Sequence, residues 1–165
     1  MITTMQKKFE KTYNIIKSKA NSNSFIQALS GMAGFPMTFA VDGMVIFTHY
    51  GPMLNEIRSV YGQKPLDKSA SAPMLCSLSK EILVDVTVDK ILGQIPIAGI
   101  YFNAICAKTL TWRLGILCAL ISSRGIEFSY ANLKNEIGAV RSLTSQSDML
   151  HFITPSYEDF RALIV

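Results

Sequence analysis

Apolar residues recur at helical spacing along nearly the whole chain. Residues 3 to 19 place Met5, Phe9, Tyr13 and Ile16 three and four apart with lysines between them, which predicts an amphipathic helix. The run NSNS at 21–24 is expected to break it. Ser22 or Ser24 would then cap a second helix, FIQALSGMAG, ending near Gly34 ahead of Phe35-Pro36. A third helix runs from Pro36 towards Tyr50 and on, straight or through a kink at Gly51-Pro52, to Val60 or Tyr61. Its face continues through Leu54, Ile57, Val60 and Tyr61, and Gly62 stops it.

The polar stretch GQKPLDKSASA at 62–72 reads as a connection, and Ser71-Ala72-Pro73 as the start of the next helix, because proline is tolerated in a first turn. That helix, PMLCSLSKEILVDVTVDKIL, is apolar at 75, 78, 82, 83 and 86. Glu81, Asp85 and Asp89 lie four apart on its other side, which reads as a solvated face rather than a set of oxygen ligands. After a break at Gly93-Gln94-Ile95-Pro96, the segment IAGIYFNAICAKTLTWRLGILCALISS has no helix breaker stronger than glycine. At about 1.5 Å per residue it is roughly 40 Å long. Arg124-Gly125 closes it, and Ser129 caps a helix with Leu133, Ile137, Val140 and Leu143 on one face. A short segment around Met149 to Ile153 leads to Thr154-Pro155, read as an N-cap and first-turn pair, and to a final helix with Tyr157, Phe160, Leu163 and Ile164. No stretch alternates as a strand does.

The expected fold is all-α: one domain over residues 1–165, a compact bundle of six to seven helices around a long, nearly apolar central helix. Within it, residues 1–22 form a basic amphipathic helix, 25–125 an apolar core module and 126–165 the C-terminal helices.

Composition sharpens this picture. The chain is 49% apolar and 17% charged, against about 25% charged for an ordinary soluble domain. Mean hydropathy is +0.27. Large buried surface follows, in lipid, in a partner or in a very apolar interior. The net charge of +4 belongs to the first 24 residues, where Lys7, Lys8, Lys11, Lys17 and Lys19 stand against Glu10 alone. These lysines, with Phe9 and Tyr13 on the apolar side, are the expected contact element for a partner protein or an anionic membrane surface, where each exposed lysine contributes about 1 kcal/mol. The rest of the chain carries no basic stripe, so nucleic acid is not an expected partner. Cys76, Cys106 and Cys118 sit in apolar runs at spacings that match no zinc or redox motif. They point to a reducing compartment. The N-terminus has no apolar stretch of the secretory kind. The expected place is the cytoplasm, or the periphery of the inner membrane.

Two segments, 25–50 and 95–122, are greasy enough to raise the question of a bilayer. The first is divided by Gly34-Phe35-Pro36 into pieces shorter than the ~20 residues a span needs, and carries Asp42. The second holds Lys108 and Arg113 near its centre. Each such charge costs ~2.5–3.5 kcal/mol at the middle of a spanning helix, while each Leu, Ile or Phe returns only ~0.3–0.6. Burial in protein explains the same residues at lower cost. Asp42, Asn103, Lys108 and Arg113 are then buried polar groups, the two bases pairing with Asp42, Asp85 or Asp89, because an unpaired buried charge is prohibitive. Small or modest side chains recur every fourth position at Gly99, Asn103, Ala107, Thr111, Gly115, Ala119 and Ser123. Such a row admits a neighbouring backbone closely, either inside the core or, through Gly99, Ala107 and Gly115, in a homo-oligomer.

Chemistry is sparse. Asp42 and His49, seven apart, could share a helix face, but no serine or cysteine lies in a nucleophile motif. His151 stands apart from them in sequence, which argues against a histidine metal site. No GxxxxGK[ST] loop occurs. No catalytic residue, metal or cofactor is expected.

The two apolar blocks resemble a bacterial helical family of unknown function. In FPMTFAVDGMVIFTHYGPMLNEIRSVYGQKPLD, Pro36, Asp42, Tyr61 and Gly62 fill that family's pattern. In KILGQIPIAGIYFNAICAKTLTWRLGILCALISSRG the matching residues are Ile95, Pro96, Gly99, Asn103, Ala104, Thr111 and Gly115. That family occurs behind Era-like GTPase domains and as the C-terminal part of YcjF-type inner-membrane proteins, and the EcsC family is distantly similar. The resemblance covers roughly residues 25 to 125. It implies a non-catalytic helical module that works at a membrane or beside a partner, in a regulatory role next to a GTPase on another chain. A small membrane-inserting or pore-forming effector is the alternative.

Overall fold

The structure is a computed structural model and describes residues 3–30, 43–87, 96–144 and 152–165. Every regular element among them is helical: α1 Thr4–Ser30, α2 Gly43–Val60, α3 Lys68–Ile82, α4 Val84–Thr87, α5 Pro96–Ser123, α6 Tyr130–Leu143 and α7 Tyr157–Ile164. The all-α expectation holds, with the long apolar helix in the core.

α5 is the axis of the bundle and packs against α1, α2, α3, α6 and α7. Every residue from Thr109 to Ser122 is buried, as a helix that is apolar on all sides requires. Residues Ala104–Ser123 are long and apolar enough to cross a membrane, but nearly all of that span is buried inside the protein. α1 lays Phe9, Thr12, Ile16 and Ala20 against α5 and its neighbours. Those positions advance by three and four, so one stripe of α1 is consumed by the core. A Cβ built on Gly115 would stand 2.6 Å from Ile16 Cγ1 and 2.9 Å from its Cδ1. Only a glycine lets α1 approach α5 this closely. The small-residue row thus has an internal use at Gly115, and Ala107 is buried as well. Both positions are covered within the single chain.

The helix ends show where local chemistry ruled and where packing overruled it. α2 and α5 stop as expected at Gly62 and Gly125, both with positive φ (75° and 66°). At each, the following amide reaches back five residues, Gln63 N to Arg58 O at 2.9 Å and Ile126 N to Ile121 O at 3.0 Å. Ser129 caps α6 as expected. The NSNS run, by contrast, does not interrupt α1. Ser22 Oγ donates back to Ser18 O and Lys19 O, both at 3.1 Å, so its hydroxyl is satisfied within the helix. The propensity penalty of Ser and Asn is only a few tenths of a kcal/mol per residue. α3 starts at Lys68, three residues before the expected Ser71. Asp67 is its cap, accepting from Ala70 N at 2.8 Å and from Ser69 Oγ at 2.7 Å, while Ser71 is buried inside the helix. α7 is capped by Ser156 through Asp159 N, two residues later than the Thr154-Pro155 reading.

Candidate functional site

Two polar regions stand out on this framework: a charged staple inside the bundle and an open groove on its surface.

The staple is built around Arg113, whose side chain is 1% exposed. Its Nη1 and Nη2 donate to the two carboxylate oxygens of Asp85 at 2.6 and 2.8 Å. Nε donates to Thr144 Oγ1 at 2.8 Å, Nη2 also to Thr144 O at 3.3 Å, and Nη1 also to Ile82 O. Five donors thus have five acceptors, the condition under which a guanidinium tolerates burial. The acceptors lie at the C-terminal ends of α3 and α6 and on α4, so one side chain of α5 gathers three other helices. Asp85 is one of the three acids expected for this pairing. Its neighbour Glu81 accepts from Tyr130 Oη and lies 3.5 Å from Lys134 Nζ. Arg141 donates Nη2 to Glu81 O, and its Nε is 3.8 Å from Asp85. Glu81 and Asp85 therefore do not form the plain solvated face expected of them; both are tied to α6, and Asp85 also to α5. Partial burial pushes the Asp85 carboxyl up, but the hydrogen bonds and charge of Arg113 outweigh it and hold the group below the ordinary carboxylate value. This region is a structural joint.

Other expected polar groups fall differently. Lys108 is half-buried, and no ion pair among the described residues includes it. Asn103 falls within α5. Asp42, Asp89 and His151 lie outside the described residues. His49, considered with Asp42 for acid–base work, is half-buried on α2 with its ring edge-on to Tyr50, centroids 4.8 Å apart. Burial and the nearby Lys19 both push its pKa down, which favours the neutral ring. Tyr50 is enclosed and its hydroxyl pushed up to about 12 by burial. The thiol of Cys118, beside Leu54 O and Ser122, is likewise pushed up to about 12 by burial and is a poor nucleophile.

The groove lies between α1 and α2 and encloses about 710 Å³. One wall is the outer face of α1, where Lys7, Lys11, Asn14, Ser18 and Ser22 follow one another at helical spacing, with Glu10 and Lys19 alongside. The other is a single turn of α2 bearing Pro52, Met53 and Glu56. Ile15, half-buried, and Pro52, exposed, supply its accessible apolar lining, while Met53 beneath them is spent on the core. The structure thus divides the five lysines of the expected contact element. Lys7, Lys11 and Lys19 share the groove. Lys8 and Lys17 stand over the rings of Tyr61 and Tyr13, each 5.9 Å from the centroid.

The aromatic half of that expectation is corrected. Phe9 is 5% exposed, and the Tyr13 ring packs with Trp112, Tyr157 and Phe160 at centroid distances of 5.3 to 5.5 Å. Tyr13 Oη donates to Pro155 O at 2.8 Å. Phe9 is buried, and Tyr13, half-buried, is fastened to α5 and α7 instead of standing free for a partner. The sequence does not mark Pro52 and Glu56 as groove residues, because nothing in it tells which turn of α2 will stand beside α1. Tyr13→Phe should lower stability by about 1 kcal/mol in urea unfolding through loss of the Pro155 hydrogen bond. A Tyr13 that faced a partner instead would leave the unfolding midpoint where it is.

The chain matches no protein-family model, no curated protein and no solved structure.

Proposed function

We propose that the chain is a non-catalytic helical module that binds a partner protein through the α1–α2 groove. One observation carries the reading: the apolar face of α1 is spent on the core while its lysine face borders a concave, partly apolar channel. A protein segment fits such a channel. A bilayer would instead call for free aromatic anchors, whereas Phe9 is buried and the half-buried Tyr13 is held by α5 and α7. The resemblance to GTPase-associated modules makes a GTPase on another chain the first partner to try.

The test is a quantitative pull-down from native cells with the wild type and with Lys7→Glu/Lys11→Glu, alongside flotation on anionic and neutral vesicles. The double variant should keep the wild-type unfolding midpoint, since neither lysine has an ion-pair partner among the described residues. It should lose at least ~90% of a partner that the wild type retains, a tenfold weakening equivalent to about 1.4 kcal/mol. Lysine-dependent flotation on anionic vesicles with no protein partner would replace this reading by a membrane one.

A membrane-inserting effector is the second reading, favoured by the length and composition of Ala104–Ser123. Dye release from vesicles by the intact chain would select it.

A further inference from the structure

The groove itself narrows the chemistry of its occupant. Resting on the reading above, we infer that the groove receives an amphipathic α-helix with one acidic flank and a single base on the other.

Length comes first. From Lys7 to Ser22 the α1 wall runs about 22 Å at 1.5 Å per residue, the length of four helical turns. The accessible apolar lining, Ile15 and Pro52, is narrow, which suits the apolar stripe of a helix laid along it. Charge sets the rest. Lys7 and Lys11 are one turn apart on the α1 wall, and Lys19 follows two turns further on. Glu56 faces them from α2, and Glu10 stands beside Lys11 on α1. None of these five side chains takes part in an ion pair among the described residues, whereas Arg113, Arg124, Lys134 and Arg141 all do. Lys19 is partly desolvated already, and burial holds its pKa below the ordinary lysine value.

A docked helix with acids at i and i+4 meets Lys7 and Lys11, and a third acid about two turns away meets Lys19. A base on its other flank answers Glu56. Surfaces of one sign fit less well: an anionic bilayer or a nucleic-acid backbone would bring negative charge against Glu10 and Glu56 as well as against the lysines.

The test is selection from a phage-displayed library of 18-residue helices with a fixed apolar stripe and Glu, Lys, Gln or Ser at the remaining positions, using the intact chain as bait. The expected winners are acidic on one flank with Glu at i and i+4. Their affinity should fall at least tenfold on Lys7→Glu/Lys11→Glu and change less than twofold on Lys68→Glu/Lys80→Glu, an equal charge reversal on α3. Glu56→Lys should shift selection towards an acid where winners otherwise carry the base. Winners without acidic bias, winners weakened equally by both double variants, or no enrichment would each overturn the inference. A lysine-dependent partner recovered from cells together with neutral winners would leave the binding-module reading standing and remove only the helix chemistry. Acidic winners at the groove with no such partner would do the reverse.

Discussion

Gly115→Leu is expected to destabilise the protein by about 3 kcal/mol, the upper part of the usual range for overpacking a filled interior. Ile16 Cγ1, Cδ1 and Cγ2 all lie within 3.0 Å of where the new Cβ would stand. A β-branched side chain on a helix has little rotamer freedom with which to retreat, so α1 itself must move. Even Gly115→Ala should fail to stabilise, although alanine favours a helix interior by about 1 kcal/mol over glycine. The companion variant is Gly115→Leu with Ile16→Ala, which returns the bulk from the other side. It should lose clearly less than the sum of the single changes, the non-additive signature of two groups in one space. Additive losses would mean that α1 and α5 do not meet here.

The second large effect concerns Asp85, and its size depends on which partner is removed. Asp85→Ala leaves the buried Arg113 guanidinium with two unanswered donors. A fully enclosed pair broken this way costs about 3–5 kcal/mol. The Asp85 side chain is 39% exposed, so water can approach and about 2–3 kcal/mol is expected. Arg113→Met removes the cation instead and leaves a carboxylate able to turn to solvent, so it should cost less. The double variant should recover much of the Asp85→Ala loss, since no buried charge remains. Acid should act in the same direction as Asp85→Ala. The folded carboxyl titrates below its ordinary value of 3.8, so its contribution is complete above that pH and is lost as the pH falls through the lower, folded value. Urea midpoints measured from pH 5 downward should converge for wild type and Asp85→Ala below that point. Parallel curves at every pH would show that Asp85 is not paired in solution.

The features legible in the sequence were those decided by local chemistry or by the apolar period. Gly62 and Gly125 ended their helices because a positive φ is open to glycine at little cost. Ser129 was readable as a cap because the apolar face of α6 begins just behind it. The need for Arg113 to find an acid followed from its apolar neighbours alone, although choosing Asp85 over Asp42 and Asp89 required the fold. NSNS was misread because it is a weak breaker inside a helix whose burial against α5 outweighs it. Asp67 lost to Ser71-Ala72-Pro73 for a related reason: the pattern around Pro73 was attractive locally, but Ser71 is needed inside the helix. The contact surface was half legible. Lysines at 7, 11 and 19 marked a basic helix, but whether Phe9 and Tyr13 faced outward or inward depended on Trp112, Tyr157 and Phe160, about 100 residues or more away. Chain periodicity gives the face of a helix and leaves open what covers it.

Everything in this account depends on Ala104–Ser123 being covered by protein rather than lipid, with α1 as part of its cover. Hydrogen–deuterium exchange of the intact chain in detergent-free buffer measures this directly. The account predicts that 104–123 and 4–20 exchange slowest, opening only with global unfolding, and that anionic vesicles leave both unchanged. Rapid exchange of 104–123 in buffer, with protection gained only when vesicles are added, would contradict it.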